Sequence, residues 1–201
     1  MVYFDNAATT SLDPEVKAVL IDVLDTFGNP SSTHAEGRKA RALVETARKE
    51  IAALVGCTPG EIIFTSGGTE ADNWALKGAV RDLGVRRILT SPVEHHAVLH
   101  VAEELAAQGL CNTRLAPVDS RGDVNLSWLE QELKAAQEEG VSVLVSLMHG
   151  NNEIGNLLPI EEVGALCKKY GAWFHSDMVQ TLAHFPVDFS QLPLDFSACS
   201  A

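Results

Sequence analysis

Residues 61–80 read EIIFTSGGTEADNWALKGAV, and the handover in the middle of this stretch decides the fold. An apolar run, EIIFTS, predicts a strand over residues 61–66. The helix-like run that follows predicts a helix from Thr69. Between them stand Gly67 and Gly68. A strand, a glycine loop and a helix start can be no more than a tight turn. The same order also aims free backbone N–H groups and the positive end of a helix dipole at one place, which suits an anion. Thr69 with Asp72 three residues on resembles a capping box.

Working outward, helix and strand signals alternate along the chain. Asp13-Pro14 reads as an N-cap followed by a first-turn proline, opening a helix to about Thr26. FGNPSSTH (27–34) breaks the chain, and an amphipathic segment at 35–55 stops at Gly56. Beyond residue 80 come a strand at RRILTS, a helix over about 94–108, a strand at TRLAPV and a helix at LSWLEQELKAAQEE. VSVLVSLM then reads as a fully buried strand. It is followed by the loop HGNNEIGNLLP, a helix at IEEVGALCKKY, and strands at AWFHSD and near LDFSACS. Near-continuous apolar strands separated by helices predict an α/β fold: a mostly parallel sheet flanked by helices on both faces.

The totals agree with one sizeable domain, or a large part of a bigger protein. The 201 residues are 46% hydrophobic, enough for a real core. A net charge of −12 argues against nucleic acid as a partner, since a basic footprint is what attracts a phosphate backbone. No apolar run is long enough to cross a membrane, and MVYFDNAATT lacks the basic start and apolar core of a signal peptide. A cytoplasmic protein is the expectation. Cys57, Cys111, Cys167 and Cys199 are widely spaced without CxxC pairing, so no metal site is expected and each reads as a small apolar filler.

Ligands of such sheets bind beyond the carboxyl ends of the strands. The residues at those exits are Gly67, Gly68 and Thr69; Glu94, His95 and His96; His149, Asn151, Asn152 and Glu153; Asp177 and Gln180; and Ser200. Asp177 closes a strand apolar enough to be buried, where a carboxylate needs a partner. Taken singly, Asp177 reads as a cap or ion-pair member and His95 as a satisfied structural histidine. Together with the glycine loop they suit a flat, phosphorylated, protonated heteroaromatic ring. The loop would hold the phosphate, the imidazole would stack on the ring, and the aspartate would pair with the ring N–H⁺. Pyridoxal 5′-phosphate (PLP) fits that description.

YFDNAATT, FGNPSSTH, FTSGGTEADN, EHHAVL, HGNNEIG and HSDMVQ stand in the order and spacing of cysteine desulfurases of the NifS/IscS type, in the class V branch of fold-type-I PLP enzymes. The chain resembles that family from its first residues to its last. The resemblance implies that residues 35–201 are the PLP-binding large domain and 1–34 an N-terminal arm and helix with active-site loops. It implies that Gly68, Thr69 and Ser200 hold the phosphate. His95 would stack on the ring and assist proton transfer, and Asp177 would keep the ring nitrogen protonated. Asn152 and Gln180 would lie near the ring's phenolic oxygen and the substrate. His96 and Asn151 match as neighbours with no role of their own.

The implied reaction is PLP-dependent removal of sulfur from L-cysteine, giving L-alanine and an enzyme persulfide for iron–sulfur cluster or thio-cofactor assembly. The implied partners are L-cysteine, a sulfur-acceptor or iron–sulfur scaffold protein, and a second copy in a homodimer. In the family the cofactor-binding lysine follows a serine, a small residue and a histidine. After Ser200-Ala201 it would be the second residue past the terminus. The sulfur-accepting cysteine, the carboxylate-binding arginine and the small C-terminal domain would lie further on, so the 201 residues alone are expected to be inactive. Two alternatives stay open: another fold-type-I PLP enzyme such as a selenocysteine lyase or aminotransferase, and a non-catalytic fragment.

Overall fold

A computed structural model describes residues 2–200. The chain divides into two compact units, Met1–Ile63 and Phe64–Ala201.

The first unit is helical. Helix α1 (Pro14–Leu24) is opened by Asp13, whose carboxylate accepts a hydrogen bond from the Glu15 N–H at 2.8 Å, with Pro14 in the first turn. None of its residues is buried. Helix α2 (Ala35–Val55) ends at Gly56 in the left-handed conformation (φ 74°), where a side chain would be strained. A 3₁₀ turn at Pro59–Glu61 follows.

The strand expected over residues 61–66 does not form: residues 62–65 are irregular. The Arg48 guanidinium donates to the Ile62 carbonyl, so that backbone acceptor is bound outside any sheet. Ile63 and Phe64 are exposed, and no described strand pairs with the segment. An apolar run alone had suggested a strand; without a neighbouring ladder it stays coil.

The second unit holds the sheet. Its strands are β1 (Arg87–Thr90), β2 (Asn112–Leu115), β3 (Val143–Ser146), β4 (Trp173–Asp177) and β5 (Phe196–Ala198), in the order β2-β1-β3-β4-β5. Every pairing between these five strands is parallel. The helices are α3 (Gly68–Asp82), α4 (His96–Ala107), α5 (Leu126–Glu139) and α6 (Ile160–Tyr170). The last two have the bounds that the sequence pattern predicts.

Alternation along the strands splits the core in two. Leu89, Val143, Val145 and Phe174 face α5 and α6, packing with Leu129, Leu133 and Val163. Ile88 and Leu144 face the other way, packing with Leu76 and Val80 of α3 and Val98 and Val101 of α4. The side-chain period of two therefore turns Ser146 toward the α3 face along with Leu144. It also turns His175 and Asp177 together, away from Phe174. A strand buried on both faces thus delivers polar groups to one side of its carboxyl end.

Candidate active site

Helix α3 begins at Gly68, and its N-cap, Gly67, offers no side chain to the first-turn N–H groups. The expected capping box of Thr69 and Asp72 is absent, because the helix starts earlier and Asp72 is turned inward, 1% exposed. Glu70 instead reaches back, its carboxylate accepting from the Ser66 N–H at 2.6 Å. A Cβ added to Gly68 would sit 2.9 Å from Cγ2 of Val179, so the approach of the loop to the β4 exit requires a residue without a side chain.

A cavity of about 210 Å³ opens beside this helix start. Gly68, Thr69, His95, Asn152, Asp177, Gln180 and Ser200 all line it, together with Asp72, Met148 and Val179. All the site residues expected from the sequence therefore meet in one place. They come from the exits of β1, β3, β4 and β5 and from the start of α3.

His95 is the N-cap of α4, and its Nδ1 accepts from the Ala97 N–H at 3.1 Å. The neutral ring then carries its proton on Nε2. Structural cap and cavity wall are one residue, so the two readings of this histidine are not exclusive. His96 is also exposed, stacked on His100 with ring centroids 4.9 Å apart, and it is not among the residues lining this cavity. His95→Ala is expected to cost about 1 kcal/mol through loss of the cap and to alter the absorption of a ring bound in the cavity. His95→Asn should restore the stability and not the spectrum, and His96→Ala should change neither. Thermal unfolding and visible absorption of the three variants check this; a spectrum that responds to His96 instead would shift the motif by one residue.

Asp177 is 6% exposed. Its Oδ1 accepts from the Val179 N–H at 2.9 Å, and no cation is in contact with it among the described residues. Burial pushes its carboxyl up, and the nearby Asp72 adds to this. The Val179 N–H, His175 and His95 pull the other way. A buried carboxylate with a hydrogen-bond donor on one side and an open cavity on the other is arranged to meet a ligand cation.

Two buried acids matter more than the sequence suggested. Glu94 is pushed up to about 8, by burial first and then by the charges of Asp177 and Asp72. Its Oε1 accepts from the Ser91 hydroxyl at 2.6 Å and its Oε2 from the Met148 N–H at 2.8 Å, tying the β1 exit to the β3 exit. Asp72 Oδ1 lies 3.4 Å from Nε2 of the fully buried His175. The sequence signal for the second pair is parity: His175 and Asp177 are two apart in a strand read as buried, hence on one face. Asn151, assigned no role from the sequence, shapes the β3 exit. Its Nδ2 donates to the Val93 carbonyl at 2.7 Å, and its Oδ1 accepts from the N–H groups of Glu153 and Ile154.

The cysteines behave as fillers where they are buried. Cys167 is 2% exposed, and burial with the charge of Asp195 pushes its thiol up to about 12, far from a thiolate at neutral pH. No group of three or more candidate metal ligands occurs among the described residues. No described helix is long and apolar enough to cross a membrane.

The sequence matches the Aminotransferase class-V family over residues 2–201. It is 44% identical to the putative cysteine desulfurase IscS 1 of Bacillus subtilis, across 99% of this chain and 52% of that protein. Among solved structures, a NifS-like protein superposes with a TM-score of 0.89 at 39% identity, over 99% of this chain and 54% of the other. SspA in complex with cysteine gives 0.86 at 30% identity, over 100% and 57%. The chain spans about half the length of the relatives it matches.

Proposed function

We propose, from the premise that this chain belongs to the aminotransferase class-V family, that its cavity binds PLP and forms the cofactor half of a cysteine desulfurase. The observation that carries this is the meeting of a glycine-loop helix start, a hydroxyl from Ser200, a ring-sized histidine and a buried aspartate in one cavity. The donor set fits the cofactor's parts. The uncapped N–H groups at Gly68 and Thr69, with the hydroxyls of Thr69 and Ser200, bind a phosphate dianion. Asp177 would hold a proton on the ring nitrogen, and His95 would stack on the ring and assist proton transfer. Asn152 and Gln180, which also line the cavity, would lie near the ring's phenolic oxygen and the substrate. When bound, PLP supplies the electron sink for the pair left as a substrate α-proton departs.

The proposed reaction removes sulfur from L-cysteine, releases L-alanine and leaves a persulfide for an acceptor protein of iron–sulfur or thio-cofactor assembly. Support for L-cysteine comes from the desulfurase relative and from the cysteine complex of the structural neighbour. A homodimer, a cytoplasmic location and the division of the chain at residue 34 belong to the same proposal. No lysine lines the cavity among the described residues, so residues 1–201 by themselves should bind the cofactor reversibly and release no sulfide catalytically.

Residues 1–201 can be fused to the part of the Bacillus subtilis relative that they do not cover, where the family resemblance would put the cofactor-binding lysine. With PLP, L-cysteine and a dithiol reductant that discharges the persulfide as sulfide, the fusion is expected to release alanine and sulfide in equal amounts, and the 201-residue chain to release neither. 3-Mercaptopyruvate with pyridoxamine phosphate as products would instead favour an aminotransferase. Turnover by residues 1–201 alone would mean that an internal lysine, such as Lys77, Lys168 or Lys169, had taken the role.

A further inference from the structure

We infer that Asp72 and His175 are positioning residues that set the charge of Asp177 from beneath the cavity. Three carboxyl side chains, Asp72, Glu94 and Asp177, are buried around one end of β4, each under 10% exposed. Such a cluster is costly unless its charge is divided among protons and partners. His175, fully buried, is the imidazole that faces one of them, Asp72.

The geometry follows from strand register. His175 pairs with Ser146 across β3 and β4, and its Nδ1 is 2.8 Å from the Ser146 hydroxyl. That contact fixes the ring in its plane and leaves Nε2 facing Asp72 Oδ1 at 3.4 Å. Neither of these two atoms has a hydrogen-bond partner otherwise. Asp72 stands on α3, four residues beyond the glycine that opens the helix, and it also lines the cavity. One residue therefore touches the His175 pair on one side and the cavity on the other. His175 and Asp177 are two apart on β4 and share a face.

The two residues act on Asp177 with opposite signs. The negative charge of Asp72 raises the Asp177 carboxyl and His175 lowers it. The other titratable groups facing this cluster are His95 at the start of α4, Glu94 at the β1 exit and Cys199 after β5. The influence of Asp72 is the larger, so His175 offsets part of the charge that Asp72 sets beside Asp177. The inference rests on the cofactor reading for its purpose and on the protein alone for its test.

The carboxyl carbon of Asp177 can be followed by ¹³C NMR through a pH titration of the ligand-free chain. Asp72→Asn keeps the shape of the side chain and should move the Asp177 midpoint down by on the order of one pH unit, the scale of one neighbouring charge. His175→Gln should move it up by a smaller amount. A purely structural role would leave the midpoint alone or move it the same way in both variants, and either result would overturn the inference. If His175→Gln does not fold, the downward shift in Asp72→Asn still decides. Pyridoxamine 5′-phosphate affinity, measured on the same samples, separates the two proposals. Wild-type chain that does not bind sinks the cofactor reading, whereas opposite midpoint shifts support the coupling of the three residues regardless.

Discussion

Asp177→Asn should weaken binding of pyridoxamine 5′-phosphate by about 10- to 100-fold while leaving the fold as stable as before or more so. This analogue needs no lysine, so it reports the cavity alone. The loss is the scale of one hydrogen bond to a charged group, about 1.5–3 kcal/mol. Stability moves the other way. Burial holds the Asp177 carboxyl above its ordinary range, so the folded chain binds a proton that the unfolded chain releases. Its favourable contribution is complete below the unfolded pKa and is lost as pH rises through the folded one. At neutral pH the carboxylate is thus a cost to folding, which Asn removes while still accepting from the Val179 N–H. Calorimetric binding and thermal unfolding of the same preparation check both halves. A residue that lowers stability and raises affinity is placed for its ligand.

Glu94 gives the second large effect, on stability as a function of pH. Its ordinary value of 4.5 is raised to about 8 in the fold. Between those limits the folded protein retains a proton that the unfolded chain loses, so stability falls as pH rises and levels off above about 8. The slope summed over that window is on the order of 5 kcal/mol. Glu94→Gln should flatten it and be the more stable protein at pH 9, because its amide oxygen still accepts from Met148 and its amide N–H₂ can donate to Ser91. Glu94→Ala should be less stable at every pH, since the link between Ser91 and Met148 is lost. Trp74, Trp128 and Trp173 all belong to the second unit, so urea unfolding followed by tryptophan fluorescence reads this effect in the unit that contains Glu94. A Glu94→Gln curve parallel to wild type would contradict the assignment.

Much of this was legible in the chain because parallel sheets write their burial plainly. VLVS and the apolar part of AWFHSD alternate with helices whose caps are local, such as Asp13 and Asn125, and those elements form as the pattern predicts. EIIFTS did not, because a strand needs a neighbour and its sequence does not carry one. The cavity residues were legible for a related reason: each follows a strand, and strand exits converge in this topology. Asp72 and Glu94 were harder. On a helix and in a loop, an acidic residue reads as solvated, and only the packing of α3 and α4 against the sheet shows that both are buried. The mistaken capping box at Thr69 had the same origin, since it set Asp72 facing outward.

The central claim is that Asp177 and its neighbours make a site for a protonated, phosphorylated pyridine ring. The ¹⁵N chemical shift of the ring nitrogen in labelled pyridoxamine 5′-phosphate, bound to the chain at a pH where the free compound's ring is neutral, tests it most directly. A protonated-ring signal in the wild-type complex, reverting to a neutral one in Asp177→Asn, is the predicted result. A neutral ring in the wild-type complex, or a protonated signal that Asp177→Asn leaves unchanged, would contradict it.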